Sequence, residues 1–251
     1  MPGMIELRLD TDHPENVKNV LIEQKIDGSR HEWTGSQLLS ERNIDRADRF
    51  PHIVRELKQM PWKVRGEIAI PYGHVLDVSK AQNWPRARFY IFDMFEWEGQ
   101  DARNANAADN RKLIEDAFGN APKFNSLRYP FKWKDFQTGW AFTVKHQLEG
   151  LVLKELNGTG RQFKVKMYHE VKVPIIGLEV GAVKGAFLVL LNGVTCKVSA
   201  LSADNVAKYH AMLKANEEPY AEVEYLFLTE SSIMFQPRLR RLGTRKDILL
   251  G

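Results

Sequence analysis

Residues 23–30 read EQKIDGSR, a stretch whose side chains could support nucleophilic chemistry. Lys25 is followed two residues on by Asp27, then by Gly28, and Arg30 closes the stretch. Val20, Leu21 and Ile22 lead in as an apolar β-type run, and Asp27-Gly28 supplies a turn. A lysine at the end of a buried strand loses its proton more readily when desolvation and nearby cations destabilise the ammonium form. The free amine is then a nucleophile, and attack on the α-phosphate of a nucleoside triphosphate would form a phosphoramidate. Lys-x-Asp-Gly alone also describes an ordinary surface turn, so downstream residues have to decide.

The elements that must position Lys25 are readable from periodicity. Residues 48–60 place Ile53, Val54 and Leu57 on one face of a helix, with Pro51 in its first turn. Residues 62–70 and 88–97 read as strands, the second rich in aromatics. Helices are expected over 107–118 and 135–148, and strands over 150–154 and 162–173, with a turn at Asn157, Gly158, Thr159 and Gly160. After Pro174 come short strands at 175–180, 186–191 and 194–199, a helix at 203–215, and a strand at 220–228. This order matches a five-stranded OB-type barrel. A connector near 171–174 is expected to act as a hinge.

Composition narrows the class. The chain has 251 residues, 43% hydrophobic and 27% charged, which suits one large globular domain or two smaller ones. The first sixteen residues contain no apolar signal core, and no stretch approaches the roughly 18 apolar residues of a membrane span. A single cysteine, Cys196, excludes an internal disulfide and a cysteine-based zinc site, so a reducing, cytoplasmic setting without membrane contact is expected. The seven histidines show no HExxH pairing, so any metal would be an oxygen-liganded ion such as Mg²⁺. The net charge of +4 is unevenly placed. Arg238, Arg240, Arg241, Arg245 and Lys246 stand near the end against Asp247, and Arg161, Lys164, Lys166 and Lys172 form a second cluster. Two such clusters on a balanced background suggest a phosphate-rich partner.

Four further stretches follow Lys25 in a definite order: Arg65-Gly66-Glu67-Ile68, FYIFDMF at 89–95, EGLVLK at 149–154 and QFKVK at 162–166. Together with the lysine octet they resemble the ordered motifs of the covalent nucleotidyltransferases. That superfamily comprises ATP-dependent DNA ligases, RNA ligases and mRNA-capping guanylyltransferases. Residues 49–70 are similar in tone and spacing to the same region of ATP-dependent DNA ligases. The resemblance implies that Lys25 carries the nucleotide, Glu23 reads the purine amine and Phe92 stacks on the base. It also implies that Glu67 touches the sugar, Glu149 with Glu67 holds Mg²⁺ (or Mn²⁺), and Arg30 contacts ribose or a 5′-phosphate. Asp27 belongs to the same catalytic turn. Lys164 and Lys166 alternate with Phe163 and Val165, so both point to one face, where they could neutralise charge on the α-phosphate and lower the pKa of Lys25. Lys154 adds to that cluster.

The end of the chain matches less closely. Ligases of this superfamily finish with a basic motif approximating R-x-P-x-F-x-R-x-R-x-D-K, and residues 234–247 here read MFQPRLRRLGTRKD. Pro237, Arg238 and Arg241 fit; Leu239 takes the aromatic slot, and Phe235 and Gly243 stand where arginines are usual. By the resemblance, Arg238 and Arg241 would contact the outgoing pyrophosphate.

The expected fold is α+β: a nucleotidyltransferase domain (DNA ligase and mRNA-capping type) over residues 1–172, then an OB-fold β-barrel over 173–251. The expected activity is that of a monomeric, minimal ATP-dependent DNA ligase. It would seal 5′-phosphate/3′-hydroxyl nicks in double-stranded DNA through lysyl-AMP, with ATP and Mg²⁺. A GTP-using capping guanylyltransferase and a non-catalytic nucleic-acid-binding relative remain as alternatives.

Overall fold

Apolar residues at every second position build the strands that carry the site. The computed structural model describes residues 4–120, 123–156, 160–179, 185–199 and 202–250. Asn157, Gly158 and Thr159 of the expected turn, and the end of the expected strand at Val180, lie outside the described residues. The chain divides into two compact units, Met1–Lys166 and Met167–Gly251.

In the first unit the strands are β1 (Ile5–Glu6), β2 (Val20–Lys25), β3 (Ser29–Trp33), β4 (Leu38–Ser40), β5 (Trp62–Ala69) and β6 (Arg88–Trp97). They continue as β7 (Gln100–Asp101), β8 (Leu127–Arg128), β9 (Lys132–Trp133), β10 (Gly150–Glu155) and β11 (Gln162–Lys166). The helices are α1 (Pro51–Leu57), α2 (Val75–Val78), α3 (Ala107–Asn120) and α4 (Phe136–Lys145). One sheet has the order β1-β11-β10-β2-β9 and the other β4-β3-β5-β6-β7, with β8 alongside β6. Ile22, Leu151, Leu153 and Val165 face Phe136 of α4 in one small core. Trp33, Leu38, Ile53, Leu57, Trp62, Ile68, Phe89 and Ile91 belong to a larger one against the second sheet. Burying each such side chain contributes about 1.5–3 kcal/mol.

Gly28 joins the two sheets. A Cβ there would lie 2.5 Å from the carbonyl oxygen of Ile68, so the turn after β2 can press on β5 only with glycine.

The second unit contains β12 (His169–Glu179), β13 (Ala186–Leu191), β14 (Val194–Val198), α5 (Ala203–Lys214), β15 (Pro219–Tyr225), β16 (Phe227–Leu228), β17 (Met234–Phe235), β18 (Arg238–Thr244) and α6 (Arg245–Leu250). Its five-stranded sheet has the order β14-β13-β12-β15-β18, over a core of Val173, Ile175, Phe187, Val189, Val198, Val223 and Tyr209.

Two expectations change. The strand expected over 162–173 breaks after Lys166, and the connector expected near 171–174 is the middle of β12. Pro174 does not end that strand: Val173 and Ile175 go into the core on either side of it, and Pro174 pairs with Tyr220. The strand expected over 220–228 is split at Leu226 into β15 and β16.

Candidate active site

Opposite the Leu151–Val165 layer, the same three strands carry charge. Lys25 pairs with Gly150, which pairs with Lys166; Glu23 pairs with Val152, which pairs with Lys164; Leu21 pairs with Lys154. Period-2 alternation therefore turns Glu23, Lys25, Lys154, Lys164 and Lys166 to one face. Gly150 sits at the centre of that face with φ +152°, and a Cβ on it would lie 1.9 Å from the carbonyl oxygen of Val165.

Lys25 Nζ donates to Glu149 Oε2 at 2.7 Å, and Lys166 Nζ lies 3.5 Å from Glu149 Oε1. One carboxylate thus bridges two lysines. Burial pushes the Lys166 ammonium below its ordinary pKa, opposed by Glu149 and reinforced by Lys25 and Lys164. Lys164 itself pairs with Glu6 on β1 at 3.4 Å, so the two β11 lysines share a face but not a carboxylate.

Glu23 is almost fully buried, and both its oxygens are engaged. Arg111 Nη1 donates to Oε1 at 2.7 Å, and Lys154 Nζ lies 2.7 Å from Oε2. Lys154 also donates to the carbonyl oxygen of Phe92 at 2.9 Å and stands 5.6 Å from the Phe92 ring centre.

Phe92 is aimed by a bulge. Arg65 pairs with Asp93 and the next residue, Gly66, with Ile91, leaving Phe92 as the extra residue in β6. Strict alternation would send Phe92 and Asp93 to opposite faces, yet both line one cleft. Arg30 on β3 pairs with Glu67 on β5, which pairs with Tyr90. Burial raises the Glu67 carboxyl to about 8, with Lys25 lowering it and Glu149 raising it further. Burial likewise raises Asp93, against the pull of Lys154 and Arg65.

Along these strands lies a small cleft, open to solvent, lined by Glu23, Lys25, Arg30, Glu67, Phe92, Asp93 and Lys154 among others. Asp27 faces elsewhere: its Oδ1 accepts from the backbone N–H of Val75 at 3.0 Å, and its Oδ2 meets His74 Nδ1 at 3.0 Å. It anchors the turn after Lys25 to the start of α2 and does not reach the lysine cluster through any described contact.

A hard divalent cation fits the donor set here. Glu67 Oε2 is buried with no hydrogen-bond partner among the described residues, and it is electrostatically coupled to Glu149. Among the described residues no group of three or more His, Cys, Asp or Glu side chains gathers to hold an ion. The protein would therefore supply two carboxylates and leave the remaining positions to phosphate oxygens and water, as Mg²⁺ sites commonly do.

Arg238 and Arg241 belong to the second unit, where carboxylates face them across the strands. Arg238 Nη1 lies 3.8 Å from Glu224, Arg240 Nε 3.5 Å from the same residue, and Arg241 Nε 3.9 Å from Glu222. Arg241 also donates to the carbonyl oxygen of Asp247, and Arg245 pairs with Glu218. Arg238, Arg240 and Arg241 thus form ion pairs with Glu224 and Glu222 of β15, and Arg245 pairs just before that strand.

Sequence reasoning missed Arg111 and the bulge at Phe92. A signal for the former existed: Asn110 and Arg111 stand four and three residues before the buried Ile114, on the inward face of α3, where polar residues need partners. Asn110 finds them in the backbone N–H and carbonyl of Met94.

No protein-family model matches the sequence, and no curated protein does either. Solved structures do match. A structure from a study of DNA binding with a minimal scaffold by Lig E DNA ligases superposes with a TM-score of 0.68 at 16% identity, covering 97% of this chain and all of that one. The ligase domain of LigD from M. tuberculosis gives a TM-score of 0.55 at 20% identity, covering 98% and 97% of the two chains. Mycobacterial DNA ligase D, complexed with ATP and MES, gives 0.51 at 23% identity over 90% of each. Among the described residues no helix is long and apolar enough to cross a membrane. The chain has the fold of these DNA ligase structures.

Proposed function

We propose that the protein is an ATP-dependent DNA ligase that seals 5′-phosphate/3′-hydroxyl nicks in duplex DNA. The observation that carries this reading is Lys25 at a strand end on the wall of the cleft, 2.7 Å from Glu149 and beside the unpartnered Glu67. The lysine amine forms a P–N bond to the α-phosphate of ATP as the bond to the β-phosphate oxygen breaks and pyrophosphate leaves. Glu149 Oε2 is placed to receive the departing ammonium proton. Lys166 and Lys164 offset charge on the phosphoryl oxygens, and Phe92 offers its ring to the base. Arg30 is assigned to ribose or the 5′-phosphate, and Asp27 holds the lysine turn in place. When bound, Mg²⁺ (or Mn²⁺) on Glu67 and Glu149 would supply further charge neutralisation at the α-phosphate. AMP then passes from Lys25 to the 5′-phosphate of the nick, and the 3′-hydroxyl displaces it, closing the phosphodiester.

We assign residues 1–172, whose compact unit ends at Lys166, to nucleotide transfer and the remainder to an OB-type module. The strand order β14-β13-β12-β15-β18, with α5 between β14 and β15, supports the latter. Arg238 and Arg241 are assigned to the outgoing pyrophosphate, each exchanging a carboxylate for a phosphate. DNA contact is to the backbone, hence salt-sensitive and sequence-blind.

Incubation of nicked duplex with ATP and Mg²⁺, resolved on a denaturing gel, tests the reading. Sealed strand from wild type and none from Lys25→Ala is expected. Binding without sealing or nucleotide capture would favour the binding-protein reading, and capture from GTP alone would favour the capping reading.

A further inference from the structure

Arg111 is a buried cation that the nucleotide-transfer steps leave without a task. It sits in the middle of α3 with its side chain 6% exposed and spreads its guanidinium over several partners. Nη1 donates to Glu23 Oε1 at 2.7 Å and to the carbonyl oxygen of Pro130 at 2.8 Å, and Nε donates to Glu115 at 2.8 Å. The group also lies 4.6 Å over the Tyr129 ring. A planar fork can hold this set in fixed geometry, whereas an ammonium cannot. Burying an ion costs several kcal/mol, so a buried ion pair is weak evidence for a stabilising role.

Two of these partners, Glu23 and Pro130, line the cleft, while Arg111 itself does not. Through Glu23 the network continues to Lys154, and through Lys154 to the carbonyl and ring of Phe92. The wall that would flank a base stacked on Phe92 is thus fixed from behind by one residue. A carboxylate gripped by two cations presents only acceptors to a ligand, and an acceptor held in place selects for a donor.

Resting on the ligase reading, we infer that Arg111 is a positioning residue for base recognition: it holds Glu23 so that the cleft favours a purine bearing an exocyclic amine over one lacking it. The probes are ATP and the triphosphate of purine riboside, which lacks the 6-amino group. Each is compared for KM and kcat of self-nucleotidylation in wild type, Arg111→Lys and Arg111→Gln. Sealing of a pre-adenylylated nick, which uses no free nucleotide, is measured alongside.

Wild type is expected to favour ATP by about tenfold or more in kcat/KM, and both variants to bring the ratio within about threefold, mainly by raising KM for ATP. Sealing of the pre-adenylylated nick is expected to stay within about twofold. A variant that melts earlier yet keeps the wild-type ratio would overturn the inference, because a merely structural role predicts that result. Wild type that labels equally with both nucleotides would overturn it as well. Wild type that labels with neither, even after pyrophosphate treatment, would sink the ligase reading itself. Should Arg111→Gln fail to fold, Arg111→Lys decides. The double variant Glu23→Gln/Arg111→Gln supplies a further check, its ratio expected to be no worse than that of Glu23→Gln alone.

Discussion

The chain has two basic regions, and they differ in how deeply their cations are buried. In the cleft of the first unit, lysines and carboxylates are largely buried and unevenly matched: Glu149 serves two lysines, Glu23 serves Lys154 and Arg111, and Glu67 Oε2 has no partner. Along β18 of the second unit the arginine side chains are a third to a half exposed and face acids on β15 across an antiparallel pairing whose register shifts between Glu222 and Val223; the buried Glu224 serves both Arg238 and Arg240, and Glu222 faces Arg241. Imbalance under burial stores interaction energy that a charged ligand can use, whereas a partly exposed pair such as Arg241–Glu222 contributes about 0–1 kcal/mol. Net charge in the sequence treats the two regions alike. The burial of their cations separates them.

The sharpest way to break this contrast is at Lys25. Lys25→Ala is expected to abolish covalent nucleotide capture while DNA binding by gel shift persists; a labelled variant would remove the assignment. Glu149→Gln comes next, because it leaves Lys25 and Lys166 facing each other with no carboxylate between them. It is expected to slow self-adenylylation by about a hundredfold and to cost about 3 kcal/mol in denaturant unfolding. An effect below about 0.5 kcal/mol would mean that the buried cluster behaves like a surface pair.

The unpartnered Glu67 predicts a pH dependence. Its folded-state pKa of about 8 lies above its ordinary value of 4.5, so the unfolded chain releases this proton first as pH rises. Its contribution is fully present below about pH 4.5 and is lost as pH rises through about 8. The loss is of the order of a few kcal/mol. Melting curves from pH 5 to 9 should show a decline that Glu67→Gln removes and that Mg²⁺ reduces at the alkaline end. A decline identical in Glu67→Gln would assign it elsewhere.

The smallest stability effect is expected along β18. Arg241→Ala should change unfolding by less than about 1 kcal/mol, because its pair with Glu222 is partly exposed, and together with Arg238→Ala should slow self-adenylylation more than sealing of a pre-adenylylated nick. Equal slowing of both steps would count against a pyrophosphate-facing role.

Much of this arrangement was legible in the sequence where one face of a strand is apolar. The alternation in QFKVK and EGLVLK places Lys164, Lys166 and Lys154 on the face the structure gives them, because Leu151, Leu153 and Val165 must go the other way. What was not legible depends on contacts distant in sequence. Glu23 and Arg111 are 88 residues apart, and nothing local to either announces the other. The bulge that turns Phe92 beside Asp93 is a property of pairing with Arg65 and Gly66. Asp27, two residues from Lys25 in sequence, is drawn off by His74 and Val75. The tail shows the same limit, since its charge was visible but the acids of β15 opposite it were not assigned to it.

The most direct test is capture of labelled nucleotide. The protein is first treated with pyrophosphate to strip any bound AMP, then incubated with Mg²⁺ and α-labelled ATP, run on a denaturing gel and mapped by peptide. Acid-labile AMP on Lys25 and its loss to a nicked duplex added afterwards are expected. Label on another residue, or none from stripped protein, would contradict it.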